Sequence, residues 1–255
     1  RELGLEYLDT RGAAIYHAEN NHPWPGQAAV VVNIVHFTNQ DYEGTRFLDG
    51  HPVNYISAML DDTKALGNPY RLAANANLSF QGSNVLGLGF TMSPEEAQAM
   101  IAADSRNADA LFPYLNGEDL NSRPDQSPSR WVINFHDWPL ERTNRDGWLR
   151  LSEKEQQKAL RSGRVPQDYP HPVAADYPDC LAIVQDKVYP ERVTNRYSRK
   201  AKEHWWQYER PRIELYATIA PLERVLVVAQ TSKTLAFAFV PNGWVYAMMT
   251  IDFAF

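Results

Sequence analysis

Apolar residues fill positions 28–37 almost without a break up to His36, a density that predicts a strand covered on both faces inside an α/β sheet. Residues 13–18, rich in Ala and Ile, predict its partner, since Pro23-Trp-Pro-Gly26 lies between the two as turn material. Ahead of them, residues 3–12 have helical spacing and end at Gly12, where a helix stops. Residues 38–77 lose this regularity. Asp49-Gly50, Gly67-Asn68-Pro69 and Asp61-Asp62 mark turns there, with a short strand over 53–56, and the stretch predicts a connector. Ser93-Pro-Glu-Glu96 joins an N-cap serine, a proline at the first helical position and a glutamate three residues on, which predicts a capped helix as far as Ala103. Residues 131–135 predict a strand and residues 153–161 a polar helix on an inserted loop. Residues 188–216 carry mixed charge at helical spacing, broken at Pro190 and Pro211. Strands over 225–229 and 235–240 follow, joined through Gln230-Thr-Ser-Lys-Thr234, and Pro241-Asn-Gly243 turns into a third over 244–250.

The 255 residues, 44% of them hydrophobic, supply enough apolar material for one large core or two small ones. No apolar run approaches the roughly 20 residues that cross a bilayer, so no membrane partner is expected. The chain opens on Arg1 with no basic segment leading into an apolar stretch and cleavage site; it is taken as part of a longer, cytoplasmic protein. The single cysteine, Cys180, excludes an internal disulfide and a cysteine-based zinc site and is expected as a small core or near-surface residue. A formal charge of −6 argues against a polyanionic partner, but the charge is uneven. Six basic residues face thirteen acids through residue 110, leaving the remainder close to neutral. Within that remainder Arg192, Arg196, Arg199, Lys200, Lys202, Arg210 and Arg212 face only Glu191, Glu203 and Glu209, and a second basic stretch runs over 142–164.

Most catalytic signatures are absent. No Gly-x-Gly-x-x-Gly or Walker loop occurs, and Gly82-Ser-Asn-Val-Leu-Gly87-Leu-Gly89 reads as strand and turn glycines before it reads as a phosphate cradle. The histidines lack metal-ligand spacing, and His36, His136 and His204 are expected to be structural or surface residues. Glu153-Lys154 and Gln185-Asp-Lys187 lack the strand context of a metal-dependent nuclease. Residues 196–208 interleave cations and rings. Arg196, Arg199, Lys200 and Lys202 are candidates for DNA phosphate, whereas Trp205, Trp206 and Tyr208 are expected on the inner face of a helix. Arg130 either reaches phosphate or pairs with a carboxylate. Gln230, Ser232, Lys233 and Thr234 carry the amide, hydroxyl and ammonium groups that match base edges in the major groove, or they form a plain hairpin loop.

The segment Phe112-Pro-Tyr-Leu-Asn-Gly-Glu-Asp-Leu-Asn-Ser122, followed by Pro128-Ser-Arg-Trp-Val-Ile-Asn-Phe135, resembles the target-recognition region of the class I adenine-specific DNA methyltransferases of single-chain type II restriction–modification systems and their phage-defence relatives. Leu5-Glu-Tyr-Leu8, Leu48-Asp-Gly50, Phe80-Gln-Gly-Ser83, Tyr189-Pro-Glu-Arg192, Trp205-Trp-Gln-Tyr208 and Ser232-Lys-Thr-Leu-Ala-Phe237 continue the likeness in order along the chain. The resemblance implies an α+β, mixed-sheet target-recognition domain over 78–255, preceded by the last strands of an α/β methyltransferase domain over 1–40 and a connector over 41–77. It further implies double-stranded DNA as partner, phosphate contacts from Arg130, Arg196, Arg199, Lys200 and Lys202, and base contacts from the 230–234 loop. In that family S-adenosylmethionine and the Asn-Pro-Pro-aromatic motif belong to a preceding catalytic domain. Asn68-Pro69-Tyr70 has one proline where the motif has two, so no catalytic residue and no cofactor are expected in this chain, and the missing methyltransferase domain is an expected partner. Two other classes stay open: a protein-interaction module anchored by exposed aromatics and, behind it, a metal-dependent nuclease domain.

Overall fold

A computed structural model describes residues 4–26, 30–63, 73–194, 197–233, 235–248 and 250–253. The chain divides into two units, residues 1–72 and residues 73–255.

In the first unit Leu5–Thr10 forms helix α1, and Gly12, at φ +85°, takes the left-handed conformation that ends it. Strand β1, Ala14–Pro23, runs five residues past its expected end at Ala18, through two irregularities in its pairing with antiparallel β2, Val31–Thr38. Two strands arise inside the stretch expected to be irregular. Arg46–Leu48 (β3) and His51–Val53 (β4) pair around Asp49-Gly50, and β3 lies parallel to β1. Asn20 secures that turn, its main-chain N–H and side-chain amide both donating to the Asp49 carboxylate at 2.6 and 3.1 Å. The sheet order is β2-β1-β3-β4. The apolar run 28–37 is therefore not a central strand: β2 stands at the edge, with Val31 62% and Phe37 44% exposed. A continuous apolar run reports hydrophobicity but not the number of covered faces. The core of this unit is Ile15, Ala18, Ile56 and Leu60, with Leu5, Val35, Leu48 and Val53 against it.

The second unit follows in chain order through β5 (Ser79–Gln81), β6 (Thr91–Met92), α2 (Pro94–Ala103), β7 (Leu111–Leu115), α3 (Gly117–Ser122) and β8 (Arg130–Ile133). It continues with β9 (Glu141–Arg142), α4 (Glu153–Ser162), β10 (Arg164–Val165), α5 (Pro178–Lys187), α6 (Tyr189–Thr194), α7 (Arg199–Glu203) and α8 (Ile213–Ile219). It closes with β11 (Arg224–Ala229), β12 (Phe237–Pro241), β13 (Val245–Tyr246) and β14 (Thr250–Phe253). One four-stranded sheet has the order β12-β11-β14-β5 and is antiparallel throughout. The other, β13-β7-β8-β6, is mixed, because β13 joins β7 in parallel. The α+β architecture with a mixed sheet agrees with the expected class.

The helix starts follow local chemistry. Ser93 Oγ accepts from the Glu96 N–H at 3.1 Å while the Glu96 carboxylate takes the Ser93 N–H at 2.8 Å, closing the capping box expected there. Asn116 and Asp119 cap α3 in the same reciprocal way.

Three expected elements differ. The strand expected over 244–250 is two strands in two sheets, β13 and β14, with Ala247 making the crossover through a bridge to Ser83. Pro190 does not interrupt a helix: it occupies the first turn of α6, where a missing N–H costs nothing. Trp205, Trp206 and Tyr208 lie in a turn after α7 and on no helix, yet they point inward as expected; Trp206 and Tyr208 are 2% exposed. They belong to the main core with Phe90, Val132, Ile133, Phe135, Val184 and Val188. Cys180 is buried there, its thiol 3.5 Å from the Asn107 amide oxygen and pushed up to about 12 by burial. Leu115, Leu215, Ile219, Val225, Val227, Val240 and Tyr246 form a second core between the antiparallel sheet and α8.

Candidate nucleic-acid interface

The basic segment 188–216 divides by burial. Arg192 is 1% exposed and works inside the fold. Its Nη1 donates to the carbonyls of Gln207 (2.6 Å), Trp205 (3.2 Å) and His204 (3.4 Å), and its Nη2 to those of Val85 (3.0 Å) and Leu86 (3.1 Å). The guanidinium also lies 5.1 Å over the Phe90 ring. Burial lowers its pKa, opposed by Glu209, Tyr197 and Glu191. Arg192 thus fastens α6 to the 85–86 loop and the 204–207 turn, and it is lost to any phosphate. Arg212 is likewise engaged, at 2.7 Å from the Gln81 amide oxygen.

Arg199, Lys200 and Lys202 are exposed on α7, and Arg210 is exposed beyond it. Ser198 caps this helix by accepting from the Ala201 N–H at 3.1 Å, and its hydroxyl donates to Glu209. Arg199 pairs with Glu203 at 2.7 Å, one turn on, with 90% of its side chain in solvent; screening leaves such a pair easily exchanged for another anion. Lys200 and Lys202 approach the carbonyls of Glu209 and Val193, each at 3.4 Å. Arg196 lies outside the described residues.

Arg130 is exposed at the head of β8, opposite Tyr114. It has neither a carboxylate nor a carbonyl partner among the described residues. Arg130 and Tyr114 line one cavity of about 350 Å³ with Glu191, Tyr197, Thr91 and the 83–88 loop. Tyr197 holds Glu191 through a 2.6 Å hydrogen bond, so Arg130 shares this cavity with the residue that opens the α7 segment. Burial pushes the Tyr114 hydroxyl up to about 12, so it stays protonated and able to donate at any working pH. Gly82 and Gly89 serve packing, and Gly87 serves its positive φ of +123°. A Cβ on Gly82 would meet the Tyr246 and Ala247 carbonyls, and one on Gly89 would meet Lys187 and Val188.

Gln230, Ser232 and Lys233 are exposed in the β11–β12 connection, which Asn121 steadies by donating to the Thr231 carbonyl at 3.0 Å. Thr234 lies outside the described residues. The loop and Arg130 are thus tied to the two ends of one connection, β7–α3–β8, through α3 and β8 respectively.

Among the described residues no group of His, Cys, Asp and Glu is arranged to hold a metal ion, and no helix is long and apolar enough to cross a membrane. Glu153 and Lys154 sit on α4, and Asp186 and Lys187 on α5, all exposed. Asn68, Pro69 and Tyr70 lie outside the described residues. His136 and His204 have lowered pKa values, both chiefly from burial, and at neutral pH are uncharged ring partners of Trp138 and Trp206.

No family model matches the chain, and no curated protein matches it. Among solved structures the chain is similar in fold to one described as the Type IIL restriction-modification enzyme MmeI in complex with DNA. The TM-score is 0.53 and the identity 16%, over 95% of this chain and 30% of that one. The chain therefore spans under a third of that enzyme's length.

Proposed function

We propose that this chain is the DNA-recognition portion of a restriction–modification enzyme. The observation that carries this is the fold likeness, over nearly the whole chain, to an enzyme solved on DNA. The exposure of Arg130, Lys200, Lys202 and the Gln230, Ser232 and Lys233 loop is consistent with it. In the finer form of the proposal the parent is an S-adenosylmethionine-dependent, adenine-specific methyltransferase of single-chain type II organisation. Residues 1–40 then close its catalytic domain, residues 41–77 connect and residues 78–255 read the target. Arg130, Arg196, Arg199, Lys200 and Lys202 hold phosphates and fix the register; Gln230, Ser232, Lys233 and Thr234 face base edges. Cofactor and chemistry belong to the catalytic domain, to which recognition presents the adenine for extrusion.

The alternative of an aromatic protein-docking surface cannot use Trp206 and Tyr208, which are core residues, and would have to rest on exposed rings such as Trp24 and Phe239. The two classes part on salt. Affinity for duplex DNA should fall steeply between 50 and 200 mM salt, and Lys200→Gln with Lys202→Gln should flatten that dependence by about 0.9 per lost phosphate contact. Duplex affinity indifferent to salt and to both lysines would reject the proposal. Methyl transfer to adenine in duplex DNA by the full-length parent, with S-adenosylmethionine as donor, tests the finer form.

A further inference from the structure

The stretch 141–165 contains a small, separately packed structure. β9 and β10 pair in parallel, Gly163 ends α4 at φ +74°, and Trp148, Val165 and Val173 form a local core with Leu151, Ala159 and Tyr169. Its charges are unequally committed. Arg142 bonds Asp176, Arg164 pairs with Glu141, and Glu155 is held in the α4 capping box by the Ser152 N–H and hydroxyl. Arg145, Arg150, Lys154, Lys158 and Arg161 are exposed and have no ion pair among the described residues; only Asp146 and Glu153 remain near them as uncommitted acids. Lys154, Lys158 and Arg161 stand at i, i+4 and i+7, one side of α4, spread over roughly 10 Å at 1.5 Å per residue. The opposite side is fixed by Gln156, whose amide donates to the Trp148 carbonyl at 3.1 Å, and by Ala159 in the local core.

The end of α4 is anchored beside the end of α7. A Cβ on Gly163 would lie 2.5 Å from the Trp206 ring, Trp206 follows the last residue of α7 by three positions, and its indole N–H is fixed on the Trp138 carbonyl at 2.9 Å. Two exposed cationic helices thus terminate at one buried ring.

We infer that the Lys154–Lys158–Arg161 face of α4 is a second surface for duplex DNA, contacting the phosphate backbone without regard to sequence. The inference rests on the proposed DNA-recognition role. Its basis is that α7 spends part of its charge internally, while α4 carries cations that form no ion pair among the described residues, on a face held rigid from behind. Three phosphate contacts add about 2.7 to the slope of log affinity against log salt.

The experiment uses the whole chain and 30-base-pair duplexes of unrelated sequence. The triple variant Lys154→Gln, Lys158→Gln, Arg161→Gln is compared with the parent and with the pair Lys200→Gln, Lys202→Gln; thermal unfolding of each shows that these exposed changes leave the fold intact. The α4 variant should lose affinity equally on every duplex, and the parent's advantage over it should shrink about 40-fold between 50 and 200 mM salt. An α4 variant that keeps the parent's slope overturns the inference while leaving the DNA-recognition proposal standing. A parent that shows no salt-dependent duplex binding overturns both.

Discussion

Replacing Arg192 by methionine removes five hydrogen bonds to main-chain carbonyls while roughly keeping the side chain's length. One of them, at 2.6 Å, is as short as a charge-assisted bond, and two more, at 3.0 and 3.1 Å, have ordinary good lengths. Bonds to a charged group contribute about 1.5–3 kcal/mol each net of hydration, and methionine recovers part of the cost of burying a charge, so the loss should be about 3–5 kcal/mol. For a unit of this size that corresponds to a fall in Tm of about 10 °C or more. Trp205 and Trp206 sit in the very turn that Arg192 holds, so tryptophan fluorescence during urea unfolding reports the change directly. Arg192→Lys keeps the charge, but its single ammonium cannot reach two loops at once, and it should recover less than half of the loss. A methionine variant within about 1 kcal/mol of the parent would refute the reasoning and return Arg192 to the set of cations open to DNA.

Gly163→Ala places a Cβ at φ +74° and 2.5 Å from the Trp206 ring, and should cost about 2–4 kcal/mol by equilibrium unfolding. Asp168 accepts the N–H groups of Trp148 and Gly147, each at 2.9 Å, which holds its carboxyl below the ordinary 3.8. The depressed folded pKa means that this stabilisation is complete above the unfolded value and is lost as pH falls through the folded one, so Asp168→Asn should lower Tm at neutral pH and flatten its fall below about pH 4. Lys233→Gln should change the order of preference among target sequences by about 1–3 kcal/mol and leave preference-free duplex binding nearly unaltered, as measured by competition between duplexes.

What was legible in the sequence was what neighbours a few residues apart decide. Ser93 with Glu96 and Pro94 start α2 where they were expected to, the 153–161 helix ends one residue further on, and the 225–229 strand opens a hairpin. What was not legible depended on the opposite side of the molecule. The apolar run of β2 is the same string whether the strand is central or at the edge. The split between β13 and β14 is imposed by two sheets that draw residues 245–253 apart. Arg192 did leave a signal that went unused: Val184, Val188 and Arg192 are spaced by four, joined by N–H to carbonyl bonds of 2.9 and 3.0 Å, so the arginine continues an apolar face. The candidate base-reading loop was legible only as a hairpin connection; its exposure and its tether to Asn121 come from tertiary structure.

The same bookkeeping changes where a polyanion should settle. Counting charges gives the same excess over 188–216 and over 141–165, seven cations against four acids in each, yet in the first burial removes Arg192, Arg212 is turned towards Gln81, and Arg199 already has Glu203. Over 141–165 more of the excess faces water, because Glu155 is held by Ser152 and Glu141 pairs with Arg164 rather than with the exposed cations, and only Asp146 and Glu153 remain beside them. Attraction of a phosphate depends on charge that is both exposed and uncommitted, since a cation bonded to carbonyls must give up those bonds before it can accept a new partner. By that criterion the two segments, equal in formal charge, part company, and α4, not α7, should carry the larger share of the salt dependence. Measuring the slopes of the α4 and α7 variants side by side decides the order: an α7 loss larger per cation removed than the α4 loss would show that internal hydrogen bonds to Lys200 and Lys202 yield to phosphate at little cost.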